Sequence, residues 1–173
     1  MVISKSEFMM FLKHPAWLWL KKFDKNKLPL PDSAMQALFD EGTLFEGYAE
    51  KVFEGAVKLG YKVNGNEFSG TKYYALPEAT AQEIKKGTKI ILQGRLEINN
   101  ITSVFDVLER VEDPSTSLPR QSSGQVGASN TFDLYEIKSS TSVKKEHIPD
   151  LAFQTIVLEK SGFKARNIYV LHV

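Results

Sequence analysis

The sequence predicts an α/β domain in which helices cover the faces of a mixed sheet. Three observations lead there. From Thr88 the apolar period changes from helical to alternating, and two alternating runs, KIILQGRLEI and ITSVFDVLERV, meet at Asn99-Asn100, a dipeptide suited to a tight hairpin. A third alternating run, TFDLYEIK, follows a polar stretch. A helical run then leads into a last apolar strand, NIYVLHV. A three-strand meander, a crossover helix and one more strand give a sheet with both antiparallel and parallel pairs, flanked by helices.

The elements follow in chain order. Ser4 is an N-cap with Glu7 three residues on, the pattern of a capping box, and it opens a short helix striped by Phe8, Phe11 and Leu12. Pro15 ends that helix, and WLWL follows. KNKLPLPDS is a loop that supplies a fresh cap in Asp32 or Ser33. Ala34, Leu38, Phe45, Ala49, Val52, Phe53 and Ala56 recur at helical spacing, so one long helix is expected over 33–59, with Gly60 at its C-cap. NGNEFSGTKYYAL reads as a weak strand or turn. PEATAQEIKK carries proline in its first turn and stops before Gly87, as a short helix does. After the hairpin, residues 112–130 are rich in Ser, Pro and Gly and are expected to form a flexible hairpin loop. A helix is expected from His147 to Ser161, with Gly162 as its C-cap.

Composition narrows the chemistry. The 173 residues suit a single domain over 1–173, and the 42% apolar and 25% charged fractions are those of an ordinary globular protein. The abrupt apolar C-terminus suggests the N-terminal part of a longer chain. Cysteine is absent, which excludes disulfides, thiolate metal sites, an iron–sulfur cluster and a cysteine nucleophile. The three histidines, His14, His147 and His172, have no metal-ligand spacing. The N-terminal apolar run is broken by charge and proline, and no stretch is long enough to span a bilayer, so no membrane partner and a cytoplasmic location are expected. The net charge of +1 is segregated: residues 1–30 carry +4, residues 31–137 carry −6 and residues 138–173 carry +3. An acidic middle between basic ends suits a protein that holds cations centrally and a polyanion at its rim, although scattered solubility charge gives the same totals.

Three charged positions interrupt apolar strands. Asp106 sits in SVFDVLERV, and Glu136 and Lys138 sit two apart in LYEIKSS. Strand alternation puts Glu136 and Lys138 on one face, together with Phe132 and Leu134. Charges on such a face are costly to bury unless they are paired or bind an ion. An E-x-K pair alone also arises on solvated faces. With an aspartate on the neighbouring strand, the two carboxylates can converge on one cation, and hard oxygen ligands select Mg²⁺ or Mn²⁺.

Asp106, then Glu136-Ile137-Lys138, then Gln154 on the following helix resembles the PD-(D/E)XK nuclease superfamily, with Phe105 where the motif proline commonly stands. The segments EGTLFEGYAEK and DLAFQTIVLEKSG resemble the RecB-like exonuclease branch, with Glu46 in the place of that branch's motif histidine. Taken with ISKSEFMMFL and WLWL, the whole chain resembles an uncharacterised bacterial family of longer proteins that carry this domain at the N-terminus. The resemblance implies a restriction-endonuclease-like core and a metal-dependent nuclease that hydrolyses phosphodiester bonds, DNA being favoured over RNA. It implies Glu46, Asp106, Glu136 and the Ile137 carbonyl as metal ligands, and Asp106, Glu136, Lys138 and Gln154 as the catalytic set. Lys138 would handle the attacking water. The alternative is a catalytically silent nucleic-acid-binding or protein-interaction module of a larger DNA-processing protein. Trp17 and Trp19 are expected in the core, His147 at the surface or near a cap, and Lys144-Lys145 in a solvated loop or against phosphates.

Overall fold

The computed structural model describes residues 1–64, 67–111 and 129–173. In chain order these form β1 (Ile3–Ser4), α1 (Lys5–Lys13), α2 (Pro15–Phe23), α3 (Ser33–Ala49), β2 (Val57–Lys58), β3 (Tyr61–Asn64), β4 (Glu67–Gly70), α4 (Leu76–Lys86), β5 (Ile90–Ile98), β6 (Ile101–Arg110), β7 (Thr131–Lys138), α5 (His147–Lys160) and β8 (Lys164–His172). Short 3₁₀ turns lie at Lys25–Lys27, Glu50–Val52 and Tyr73–Ala75.

Among the described residues, six strands form one mixed sheet in the order β2-β5-β6-β7-β8, with β1 also pairing to β6. The meander β5-β6-β7 is antiparallel, and α5 carries the chain across to a parallel β8. The expected α/β class, mixed sheet and flanking helices are therefore present. The sheet is wider than the four long strands by two short ones, β1 and β2, which pair parallel to β6 and β5. The hairpin turn falls at Asn99-Asn100, both with positive φ, as a type I′ turn requires. β3 and β4 make a separate two-stranded hairpin. Apart from Ser129 and Asn130, which lead into β7, the expected loop over 112–130 lies outside the described residues.

Each face of the sheet has its own core. Ile91, Leu108, Phe132 and Leu134 pack under Leu76 and Ile84 of α4 and under Phe153, Val157 and Leu158 of α5. On the other face Leu92, Val107 and Ile137 pack with Ala49 at the end of α3. Burying such side chains stabilises the fold by about 1.5–3 kcal/mol each. The Ser4–Glu7 capping box forms as expected, and Asp32 caps α3 by accepting the Met35 N–H at 2.8 Å.

Two expectations are corrected. The long helix stops at Ala49 rather than near residue 59. A 3₁₀ turn follows, Gly55 takes φ +72°, and Val57-Lys58 pair with β5 as an edge strand. Phe53 and Ala56 fit helical spacing, but they pack around the second core from the turn that follows the helix, while Val57 packs against the first core from its edge strand. Trp17 and Trp19 are not core. They stand 46% and 56% exposed on α2, none of whose residues is buried.

Candidate active site

The site forms where β6 and β7 part. Their register runs from Arg110↔Phe132 to Val107↔Tyr135 and goes no further. Beyond it the Asp106 carboxylate enters the gap, and Oδ2 accepts the Ile137 N–H at 2.7 Å. A side chain thus replaces the rung that a strand would have supplied. This accounts for an aspartate in the middle of an apolar strand.

The other neighbour of β6 yields at the same level. The β5–β6 register pairs Leu92↔Val107 and Gly94↔Phe105 but skips Gln93 and Asp106. Gln93 adopts φ +58°, the left-handed region, in the middle of a strand. Such a conformation costs about 1–3 kcal/mol and persists only when its surroundings hold it. Here the Gln93 amide donates to Glu46 Oε1 and lies 3.5 Å from Glu50 Oε1. Glu50 is in turn paired with Lys58.

Glu136 is the most heavily engaged group. β7 alternation turns it to the α5 face beneath Gln154, and it is 1% exposed. Lys5 Nζ donates to both of its oxygens, at 2.9 and 3.1 Å. Lys138 Nζ donates to Oε1 as well, and Gln154 Nε2 donates to Oε2 at 2.6 Å. Asp150, one turn before Gln154 on α5, closes the network. It accepts from Lys138 at 3.0 Å and from Gln154 at 3.2 Å, and it pairs with Lys5 at 3.4 Å. Lys5 reaches the site because β1 pairs with β6 and because Phe8 of α1 stacks on Phe153 of α5, centroids 4.9 Å apart.

These contacts set the ionisation. Burial pushes the Asp106 carboxyl up, and the Glu136 and Glu46 charges push it further against the pull of Lys5. Burial and Glu50 likewise raise Glu46, to which Glu136 also contributes. Burial alone would raise Glu136, but Lys5 and Lys138 outweigh it and hold the carboxyl below the usual range. Lys5 and Lys138 are both held above the usual lysine value, the neighbouring carboxylates outweighing burial.

The structure thus gathers Asp106, Glu136, Ile137, Lys138 and Gln154 as the sequence led one to expect, with Glu46 close enough to shift Asp106. Three participants were not anticipated: Lys5, Asp150 as a partner of both lysines, and Gln93. A lysine at the first position of α1 is a faint signal, since a cation there opposes the helix dipole. His147 opens α5 as a near-cap residue, yet it is buried rather than superficial, and Nδ1 accepts the Lys144 N–H at 3.3 Å. Lys144 and Lys145 are exposed. An open cleft of about 360 Å³ lined by Lys89, Glu109, Asp133 and Arg166 lies elsewhere and includes none of the five.

The fit of a cation can be judged from the donors. Five carboxylates (Glu46, Glu50, Asp106, Glu136, Asp150) meet three ammoniums (Lys5, Lys58, Lys138), a formal excess of two negative charges. That excess matches one divalent cation, and every donor is a hard oxygen. As they stand, however, no group of three ligating side chains converges among the described residues. Asp106 Oδ1 accepts no hydrogen bond among the described residues, whereas Glu136 is engaged by Lys5, Lys138 and Gln154. The donor chemistry suits a hard cation; the ligand geometry as it stands does not. Among the described residues no helix is long and apolar enough to cross a membrane. No protein-family model matches the chain, and comparison with curated proteins finds no match.

Proposed function

We propose that this domain is a metal-dependent nuclease of restriction-endonuclease-like type that hydrolyses phosphodiester bonds, of DNA in preference to RNA, in the cytoplasm. One observation carries the reading: Asp106, Glu136, Lys138 and Gln154 meet where two strands part, within a cluster whose carboxyl groups outnumber its ammoniums five to three. Structural carboxylates are normally neutralised by their partners, so such an excess favours a site that takes a cation. Glu46, Asp106, Glu136 and the Ile137 carbonyl would hold Mg²⁺ or Mn²⁺, which when bound acidifies water and polarises a phosphoryl oxygen.

The chain's own groups have separable tasks. The Ile137 N–H fixes one oxygen of Asp106 and leaves the other without a hydrogen bond among the described residues. Gln154 holds Glu136 in one rotamer from α5. The Lys138 ammonium, on its flexible stem, orients the attacking water and offsets charge that gathers on the phosphate as the water oxygen bonds to phosphorus and the ester oxygen departs. Asp150 keeps that ammonium within reach of Glu136.

A catalytically silent nucleic-acid-binding module is the alternative, favoured by the full engagement of Glu136. Incubation with single- and double-stranded DNA and RNA in Mg²⁺, Mn²⁺ or EDTA separates the two. The nuclease reading expects cleavage that EDTA and Asp106→Ala abolish. Intact substrates under every condition, with binding retained, would establish the silent module.

A further inference from the structure

Helix α3 packs over only part of its length. Phe45 and Ala49 join the second core. The same helical stripe runs on toward the N-terminus through Phe39, Leu38 and Met35, but there nothing among the described residues covers it. Every residue from Pro29 to Glu41 is exposed, Leu30 by 90% and Leu38 by 65%. A free helical end of this kind is marginal in water, where isolated helices shorter than about 12–15 residues barely hold. The linker keeps it apart from α2. Pro29 and Pro31 confine the residues before them to extended backbone, and Leu28 has φ −74° and ψ 133°.

A second uncovered surface lies on the helices before that linker. Phe11 and Leu12 of α1 and Trp17, Trp19 and Phe23 of α2 are exposed, and the Trp19 and Phe23 rings stand 5.7 Å apart. The two surfaces have opposite charge. Residues 6–28 hold five lysines and two acids, a net +3, and residues 29–44 hold three acids and no lysine or arginine, a net −3. Lys22 and Lys27 are engaged by Glu7 and Asp24. Lys13, Lys21 and Lys25 on the basic surface, and Glu41 on the acidic one, have no ion pair among the described residues. One chain thus carries an acidic apolar arm and a basic apolar platform that suit each other, yet both are uncovered.

We infer that the partner of both surfaces is a second copy of this chain: the 29–41 arm of each copy lies on the α1–α2 platform of the other about a two-fold axis, which covers both pairs of surfaces at once. The inference does not depend on the nuclease reading. An arm-on-platform contact closes only when it is reciprocated, as a two-fold axis ensures. Residues 11–27 and 29–41 hold as many residues as the roughly 20–30 that a stable interface takes from each side. The apolar side chains supply the buried centre, and the opposed charges fix the register. A nucleic acid would suit the platform alone. It would leave the arm uncovered and be repelled by Asp32, Asp40 and Glu41, so the second copy accounts for more of what is seen.

Sedimentation equilibrium of the full chain tests this. At about 100 μM, above the weak end of interfaces of standard size, wild type should be a dimer. Asp40→Lys with Glu41→Lys reverses the arm, and Lys21→Glu with Lys25→Glu reverses the platform. Each reversed chain alone should associate at least tenfold more weakly than wild type, with an unchanged circular dichroism spectrum. An equimolar mixture of the two should regain the dimer, since each arm then meets a platform of opposite charge. Loss in only one of the reversed chains would mean arm on arm or platform on platform, and overturns the inference, as does a mixture that stays monomeric. Should the reversed chains not fold, Leu38→Asp decides, since that side chain is largely exposed. It should weaken the dimer at least tenfold, and an unchanged dimer overturns the inference. A monomeric wild type overturns it too. Binding of a fluorescent oligothymidylate to that monomer, lost on reversing the platform, would make nucleic acid the occupant instead.

Discussion

β7 carries two buried carboxylates three residues apart, Asp133 and Glu136, and they live in opposite conditions. Asp133 is matched to its partners: the Arg166 guanidinium grips both oxygens at 3.0 and 2.5 Å, and the Asn167 N–H donates to one of them at 3.0 Å. The Arg166 hydrogen bond holds its carboxyl below the usual range. Its neighbours across the strand pair, Glu109 and Tyr135, satisfy each other at 2.8 Å. Around Glu136 the partners are shared. Two lysines and a glutamine serve both Glu136 and Asp150, and nearby Asp106 is left with its carboxyl raised. A buried acid with a partner of its own reads as structure. A group of acids with fewer cations than charges reads as a site that awaits one.

The largest effect that sharpens this contrast is catalytic. Lys138→Met should lower the initial cleavage rate in Mn²⁺ by about 10²–10⁴-fold, the usual consequence of removing a positioned acid–base or electrostatic group. Its melting temperature should change little, since Lys5 and Gln154 remain on Glu136. Equal rates would make Lys138 as structural as Arg166.

Divalent metal comes next. Mn²⁺ at about 100 times its dissociation constant should stabilise the native state by about 2.7 kcal/mol relative to EDTA. The gain should disappear in Asp106→Ala and survive in Asp133→Asn. Identical wild-type melts with Mn²⁺ and EDTA would erase the distinction between the two carboxylates.

Asp133→Asn itself should cost about 1–2 kcal/mol of stability, because it weakens a charge-assisted pair whose arginine is half exposed, and should leave cleavage unchanged. A comparable loss of activity would show that the Arg166 end of β7 belongs to the site.

The pH profiles should also part. Asp106 binds its proton more tightly folded than unfolded, so its contribution is present below the ordinary carboxylate value of about 3.9 and is lost progressively as pH rises from there through the raised value of about 8. In EDTA, wild type should therefore lose stability toward alkaline pH by more than Asp106→Asn does. Asp133 has the opposite sign. Its contribution is present above that ordinary value and is lost as pH falls through the lowered one, so Asp133→Asn should flatten only the acid limb. Thermal melts across the pH range, with each variant beside wild type, check both slopes.

Much of the site was legible because its residues break a local pattern. Asp106 interrupts an apolar strand, Glu136 and Lys138 share a strand face, and Gln154 follows Asp150 by one helical turn onto that face. Lys5 and Gln93 break no pattern that spacing reveals. Their roles follow from which elements pack together: β1 on β6, α1 on α5 and β5 beside the end of α3. The meander, its turn and the crossover helix were equally legible, since period and turn chemistry agree there. The end of α3 was not, because Phe53 and Ala56 satisfy helical spacing while packing from the turn that follows the helix. The exposure of Trp17 and Trp19 was hidden for a related reason: an indole has the same composition on either side of a helix.

Gly60 shows how far the arrangement depends on a missing atom. A Cβ at that position would stand 2.7 Å from the Gln93 Cβ, well inside contact distance. Gln93 has little freedom to retreat, since its left-handed backbone and its amide bond to Glu46 hold it from two sides. A single methyl group on the neighbouring segment would therefore act as a wedge, transmitted through one glutamine to a carboxylate at the end of another helix. Fine control of the acidic cluster thus resides partly in a residue that has no side chain and bears no charge.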